Sequence, residues 1–157
     1  MRLRISFAKN DLMRFTGHLD LHRAWERIFR RAALPLAYTQ GFSPHPRINL
    51  ASALPLGFTS EAELVDVWLE EELPLDEIAR SLTRAIPPGI QITEIQSIIE
   101  RLPSLQSSLE SSEFVVTFLE ETPELREQVQ RLMEANSLPR TRRNKPYDLR
   151  PLIEALE

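Results

Sequence analysis

Cysteine is absent from this 157-residue chain. Its absence excludes a disulfide framework, a thiol nucleophile, a Cys-ligated zinc site and a Cys-ligated iron–sulfur cluster. Glycine occurs only 4 times, too rarely for a collagenous or low-complexity chain. There is no Gly-rich phosphate loop, G-x-S-x-G, H-E-x-x-H or EF-hand pattern. Long apolar runs are missing too. Nothing approaches the roughly 18 residues of a membrane-spanning helix. The first ten residues, MRLRISFAKN, lack the apolar core of a signal peptide. A cytoplasmic protein with no membrane partner is therefore expected. What remains is an ordinary globular composition, 42% apolar and 27% charged. It suits one domain or a tight pair of small ones.

Charge is not spread evenly. Residues 1–50 hold nine Lys/Arg and three Asp/Glu, residues 51–124 three and fifteen, and residues 125–157 seven and five. The formal net charge of −4 thus averages a basic head and an acidic middle. Such asymmetry permits a polyanion-facing surface on an acidic protein.

Hydrophobic periodicity gives the coarse architecture. Leu3, Ile5 and Phe7 alternate with Arg2, Arg4 and Ser6, as in a half-buried strand. In residues 17–33 the positions Leu21, Ala24, Trp25, Ile28 and Ala32 form one helical stripe, with Thr16 or Gly17 at the N-cap. Pro35 stops the helix. The next stretch has strand-like pieces at residues 36–40 and 47–51, either of which suits a second strand. Residues 63–70 alternate Val65, Val67 and Leu69 against Asp66 and Trp68, a further strand. Residues 75–86 read as a helix closed by Pro87, Pro88 and Gly89. Residues 90–100 read as a strand bulged near Gln96. The order β-α-β-β-α-β is the ferredoxin-like unit of an α+β fold, spanning residues 1–101. Residues 102–112 are a Ser-rich linker. Residues 113–157 then begin a partial second ferredoxin-like unit: a strand at 113–120, a helix at 123–136 and, after a basic loop, a strand and turn at 145–156. An unfinished unit would leave a sheet edge exposed.

Three constellations carry chemistry. Arg23, Arg27, Arg30 and Arg31 lie on the polar face of the first helix. Arginine offers a planar fork suited to phosphate, so this face reads as a backbone track, to which Arg2 and Arg4 add charge. Ion pairing with the acidic middle, Glu70, Glu71 and Glu72 for example, is the competing reading. The second constellation is the helix start, where His18 and His22 sit four apart beside free backbone N–H groups. They suit a phosphate pocket, an acid–base pair or, with His45, part of a metal site. No metal or other cofactor is expected. The third is GFSPHPR (residues 41–47), where Pro44 and Pro46 stiffen the chain around His45. This loop displays Phe42, His45 and Arg47 at low entropy cost, as stacking on a base requires.

Residues 17–57 resemble the uncharacterised radical SAM-linked domain family. His18, Leu19, Asp20 and Leu21 match its helix start, followed by Arg30 and Arg31. Gly41, Phe42, Pro44, His45, Pro46 and Arg47 match its Gly-Phe-x-Pro-His-Pro-Lys/Arg run. Gly17 stands where Ser is usual, and Gln40 follows Thr39 where Ser is the tendency. DLRPLIEAL, residues 148–156, is similar to a second family block, after which further strands are usual; a truncated or short form is thus expected. The resemblance implies a chain fused to, or encoded beside, a cobalamin-binding radical SAM protein, with a ribonuclease and ribosomal proteins as frequent neighbours. It implies no catalytic mechanism. Lacking cysteine, this chain is left the role of partner or substrate presenter.

The expectation is a non-catalytic module that binds RNA (a tRNA or rRNA) for a radical SAM RNA-modifying partner. Its contacts would be His18, Arg23, Arg27, Arg30, Arg31, Phe42, His45 and Arg47. Two alternatives stand beside it. Ferredoxin-like folds with a histidine on the first helix resemble the metal-independent endoribonucleases that process CRISPR transcripts. There His18 or His22, or His45 as a further candidate, acts as base and Arg23 or Arg27 steadies the phosphorane; the Gly-rich C-terminal loop of that group is missing here. The other alternative is a protein-docking adaptor.

Overall fold

The computed structural model describes residues 1–99 and 102–156. Glu100 and Arg101, the expected end of the fourth strand and of the first domain, lie outside the described residues, as does Glu157. The chain forms two compact units, Met1–Ser112 and Glu113–Glu157.

In the first unit, β1 (Arg2–Lys9) alternates strictly between half-buried and buried positions. Its inward residues are Leu3, Ile5, Phe7 and, continuing the same period, Lys9. A short 3-10 turn (Asp11–Met13) leads to α1 (His18–Arg31), which buries Leu21, Trp25, Ile28 and Phe29. Gly17 is the N-cap and gives no side-chain bond. Asp20 in the first turn and Arg30 and Arg31 in the last suit the helix dipole. Ala33 ends the helix at φ +54°, a left-handed position that glycine usually takes.

Of the two candidate second strands, residues 47–51 hold the ladder: β2 is Ile48–Leu50. Residues 36–40 contribute only the isolated bridges Leu36–Leu69 and Tyr38–Pro46. Then follow β3 (Ser60–Trp68), α2 (Leu75–Ala85) and β4 (Ile90–Ile98). The sheet order is β2-β3-β1-β4, with every pairing antiparallel. That order and element sequence are the ferredoxin-like arrangement.

Both helices cover one face of the sheet. Trp25 anchors that layer, edge-on to Phe7 at 4.8 Å and stacked on Phe29 at 5.2 Å. The bulge in β4 falls at Thr93, three residues before the expected place, because Ser6 faces Glu94 while Phe7 faces Ile92. The extra residue keeps Ile95, Ile92 and Ile90 on the helix side despite their odd spacing. The opposite face carries Arg2, Arg4, Asp66 and Trp68. A short helix, α3 (Leu105–Ser108), follows; it buries Leu105, and the Gln106 amide donates to the Leu50 carbonyl at 3.0 Å.

The second unit corrects one expectation. Residues 113–120 form no strand. FVVTFL is apolar on both faces, a pattern that becomes a strand only inside a ladder. The unit instead holds α4 (Leu125–Glu134) and a hairpin of β5 (Pro139–Arg142) and β6 (Lys145–Asp148), followed by a 3-10 turn (Arg150–Leu152). It therefore runs α-β-β. None of its described residues is buried, as expected for a segment too small to close a core of its own. The Asp148 carboxylate closes the hairpin base, accepting from the backbone N–H of Leu138 at 2.7 Å and of Arg150 at 3.0 Å. Those bonds hold its carboxyl below the usual range. Among the described residues no helix is long and apolar enough to cross a membrane.

Candidate functional site

The arginine face of α1 is formed as its spacing requires. Arg23, Arg27, Arg30 and Arg31 are all exposed and fall within about 100° of arc and roughly 12 Å of helix axis. Arg23 makes a 3.4 Å ion pair with Asp20, with both side chains about two-thirds exposed; such a pair is worth little. Arg27, Arg30 and Arg31 make no ion pair among the described residues, and Glu70, Glu71 and Glu72 pair with none of them. The competing reading, in which the acidic middle neutralises this face, thus finds no contact.

Arg2 and Arg4 do not join that track. Both turn onto Asp66, whose side chain is fully buried. Arg4 Nε donates to Oδ1 at 2.9 Å, and Arg2 Nε to Oδ2 at 2.9 Å. Arg2 also donates to the carbonyls of Leu102 and Pro103, each at 3.0 Å. It thereby fastens those residues across the sheet face opposite the helices. Arg47 is engaged as well: its guanidinium lies 4.8 Å from the Trp68 ring centre, with Arg2 at 5.1 Å from the same ring. Both cations thus lie within cation–π distance of the one ring.

The loop at residues 41–47 is braced at its base. Thr39 N–H donates to the His45 carbonyl at 2.8 Å, and His45 N–H to Thr39 Oγ1 at 3.0 Å. Pro46 is buried, whereas Phe42 and His45 are exposed, Phe42 completely. The loop leaves the sheet beside Trp68, whose N–H donates to the Arg47 carbonyl. That is the Arg2 end of β1, because Arg2 faces Trp68.

His18 stands at the other end, where Lys9 faces Ser60 and Phe7 faces Glu63. Eight residues of strand separate the two ends, roughly 25 Å. The fold therefore does not bring His18 and His45 together. Among the described residues no group of three metal ligands exists. His22 is half-buried, one turn along α1.

The His18 end holds a polar cluster that the sequence reading missed. Lys9 is fully buried, its Nζ donating to the carbonyls of Phe58 at 2.9 Å and Arg14 at 3.3 Å. Burial lowers its pKa, opposed by the Glu63 charge. Glu63 is buried on the same face, and burial raises its carboxyl above the usual range against a Ser60 hydrogen bond and the charges of Lys9 and His18. Nδ1 of His18 is buried there without a hydrogen-bond partner among the described residues. The signal was present in the alternation: Lys9 continues Leu3-Ile5-Phe7, and Glu63 precedes Val65-Val67 at the same period. Lys9 ties the turn before α1 to the loop before β3.

Fold and surface together define a ferredoxin-like α+β protein with an arginine-rich first helix, three of whose guanidiniums make no ion pair among the described residues. The chain belongs to the family DUF2344, described as an uncharacterised protein conserved in bacteria, whose model matches residues 2–157. Among curated proteins none matches the chain.

Proposed function

We propose that this protein is a non-catalytic RNA-binding, substrate-presenting module for a radical SAM RNA-modifying partner. The observation that carries the RNA-binding part is the α1 face: four exposed guanidiniums, of which three have no ion-pair partner among the described residues. A cluster left unneutralised suits a polyanion, which pairs with it by releasing bound counterions. The exposed Phe42 and His45, on a loop braced at its base, add a surface for an unstacked base. The radical SAM partner follows from the resemblance of residues 17–57.

The test is fluorescence anisotropy with a labelled tRNA against the wild type and the triple variant Arg23→Glu, Arg27→Glu, Arg30→Glu. Losing three phosphate contacts costs about 100-fold in affinity at 0.1 M salt, and the slope of log K against log salt falls by about 2. RNA binding that ignores the triple variant refutes the reading.

A further inference from the structure

The hairpin of the second unit carries a surface that the α1 reading does not use. Its register sets Arg140 opposite Tyr147 and Arg142 opposite Lys145. Directly opposed residues share a face, and alternate residues along a strand do too. Arg140, Arg142, Lys145 and Tyr147 therefore line one face of the ribbon, with Thr141 and Pro146 on the other. All four are exposed. Among the described residues the Arg140 guanidinium donates only to the carbonyl of its neighbour Pro139, at 2.9 Å. Arg142, Arg143 and Lys145 make no ion pair among the described residues. The nearest carboxylate in the hairpin, Asp148, sits in register with Pro139 on the other face and is occupied by two backbone N–H groups.

Two features of this hairpin oppose its own stability. Like charges stand directly opposite one another at Arg142 and Lys145, a destabilising cross-strand pair. The turn places Arg143 at φ +49° and Asn144 at φ +61°. Left-handed backbone at both central positions is the tight hairpin turn, which asparagine or glycine fills readily and arginine does not. Each unfavourable choice adds a cation at the surface. Beside them Tyr147 presents an aromatic ring at the level of Arg140.

We infer that this hairpin face is a second binding surface for single-stranded RNA, with Arg140, Arg142 and Lys145 on the phosphates and Tyr147 stacked against a base. The inference rests on the RNA-binding reading for its ligand, but on different residues. A row of cations without acids fits a phosphate chain, and a tyrosine among them fits a base that has left its stack.

The full chain is titrated into a fluorescein-labelled twelve-nucleotide oligouridylate. The variants are Arg142→Gln with Lys145→Gln, then Tyr147→Leu, then the α1 triple. Removing two phosphate contacts should weaken binding about 25-fold at 0.1 M salt and lower the salt slope by about 1.4. Tyr147→Leu should cost about five-fold or more with the salt slope unchanged. The double Gln variant relieves the opposed charges, so its thermal midpoint should not fall, and lost binding then does not report misfolding. Wild-type affinity in the double Gln variant overturns the inference even if the α1 triple loses binding. The reverse pattern, loss in the double variant only, leaves the hairpin standing and removes the α1 reading. Polyglutamate that displaces the oligonucleotide as well as unlabelled oligouridylate does also overturns it, in favour of an acidic protein partner.

Discussion

Replacing Asp66 by asparagine is the sharpest test of the packing. The carboxylate is fully buried, with Arg2 and Arg4 side chains only 11% and 19% exposed. Four guanidinium N–H groups point at it, from Nε and Nη2 of each arginine. Asparagine keeps one acceptor oxygen and turns an NH2 donor toward donors. With its oxygen in the place of Oδ2, which takes three of the four, asparagine loses at least the Arg4 Nε bond to Oδ1, worth about 1.5–3 kcal/mol because one partner is charged. Two cations are also left without their counter-charge, and breaking a buried pair this way costs about 3–5 kcal/mol. Both tryptophans, Trp25 and Trp68, lie in the first unit. Urea unfolding followed by tryptophan fluorescence therefore reads that unit alone. With a slope of about 2 kcal/mol/M the midpoint should fall by roughly 2 M. Adding Arg4→Met to Asp66→Asn should cost less than the two changes separately, because the second removes a cation the first has orphaned. A loss below about 1 kcal/mol, or strict additivity, would falsify the buried-network account.

Two further outcomes follow from the first unit. Gly89 has φ +101°, and a Cβ there would meet Met13 Cγ and Leu12 Cβ. Gly89→Ala should cost about 1–3 kcal/mol of backbone strain, a drop of roughly 4–8 °C per kcal/mol in a unit of this size; an unchanged melting temperature would show that the turn relaxes freely. Glu63→Gln tests the buried acid. Because burial raises the folded carboxyl above its unfolded value, the native state binds the extra proton between those two values. Wild-type stability should therefore fall as pH rises through that window, while the variant lacks this slope. Parallel melting-temperature profiles for the two proteins would contradict this. Lys9, lowered by burial, has the opposite sign at the alkaline end, where stability should rise as pH approaches the ordinary lysine range.

Much of the first unit was legible because its elements declare themselves locally. β1 alternates over eight residues, and α1 and α2 each show a single apolar stripe. What escaped depended on distant partners. Whether residues 36–40 or 47–51 formed the second strand was decided by which could pair with β3. The run at 113–120 has every local strand signal, but a strand needs a neighbour, and periodicity does not say whether one exists. The same distinction separates the arginines. Those on α1 could be placed from helical spacing alone. Arg2 and Arg4 read as surface charge until the β1–β3 register set Arg4 opposite Asp66. Lys9 and Glu63 escaped for another reason. Charged residues are so seldom buried that the sequence reading let chemistry overrule a period that was in plain view.

The burial of Lys9 has a practical consequence for chemical labelling. The chain contains two lysines, Lys9 and Lys145. With the first sealed beneath the Phe58 and Arg14 carbonyls, Lys145 is the one ε-amine open to an amine-reactive reagent in the native state. Acylation of that ε-amine, told apart from the Met1 α-amine by peptide mapping, should report what covers the hairpin. The appearance of label on Lys9 should mark the moment the β1 end comes apart.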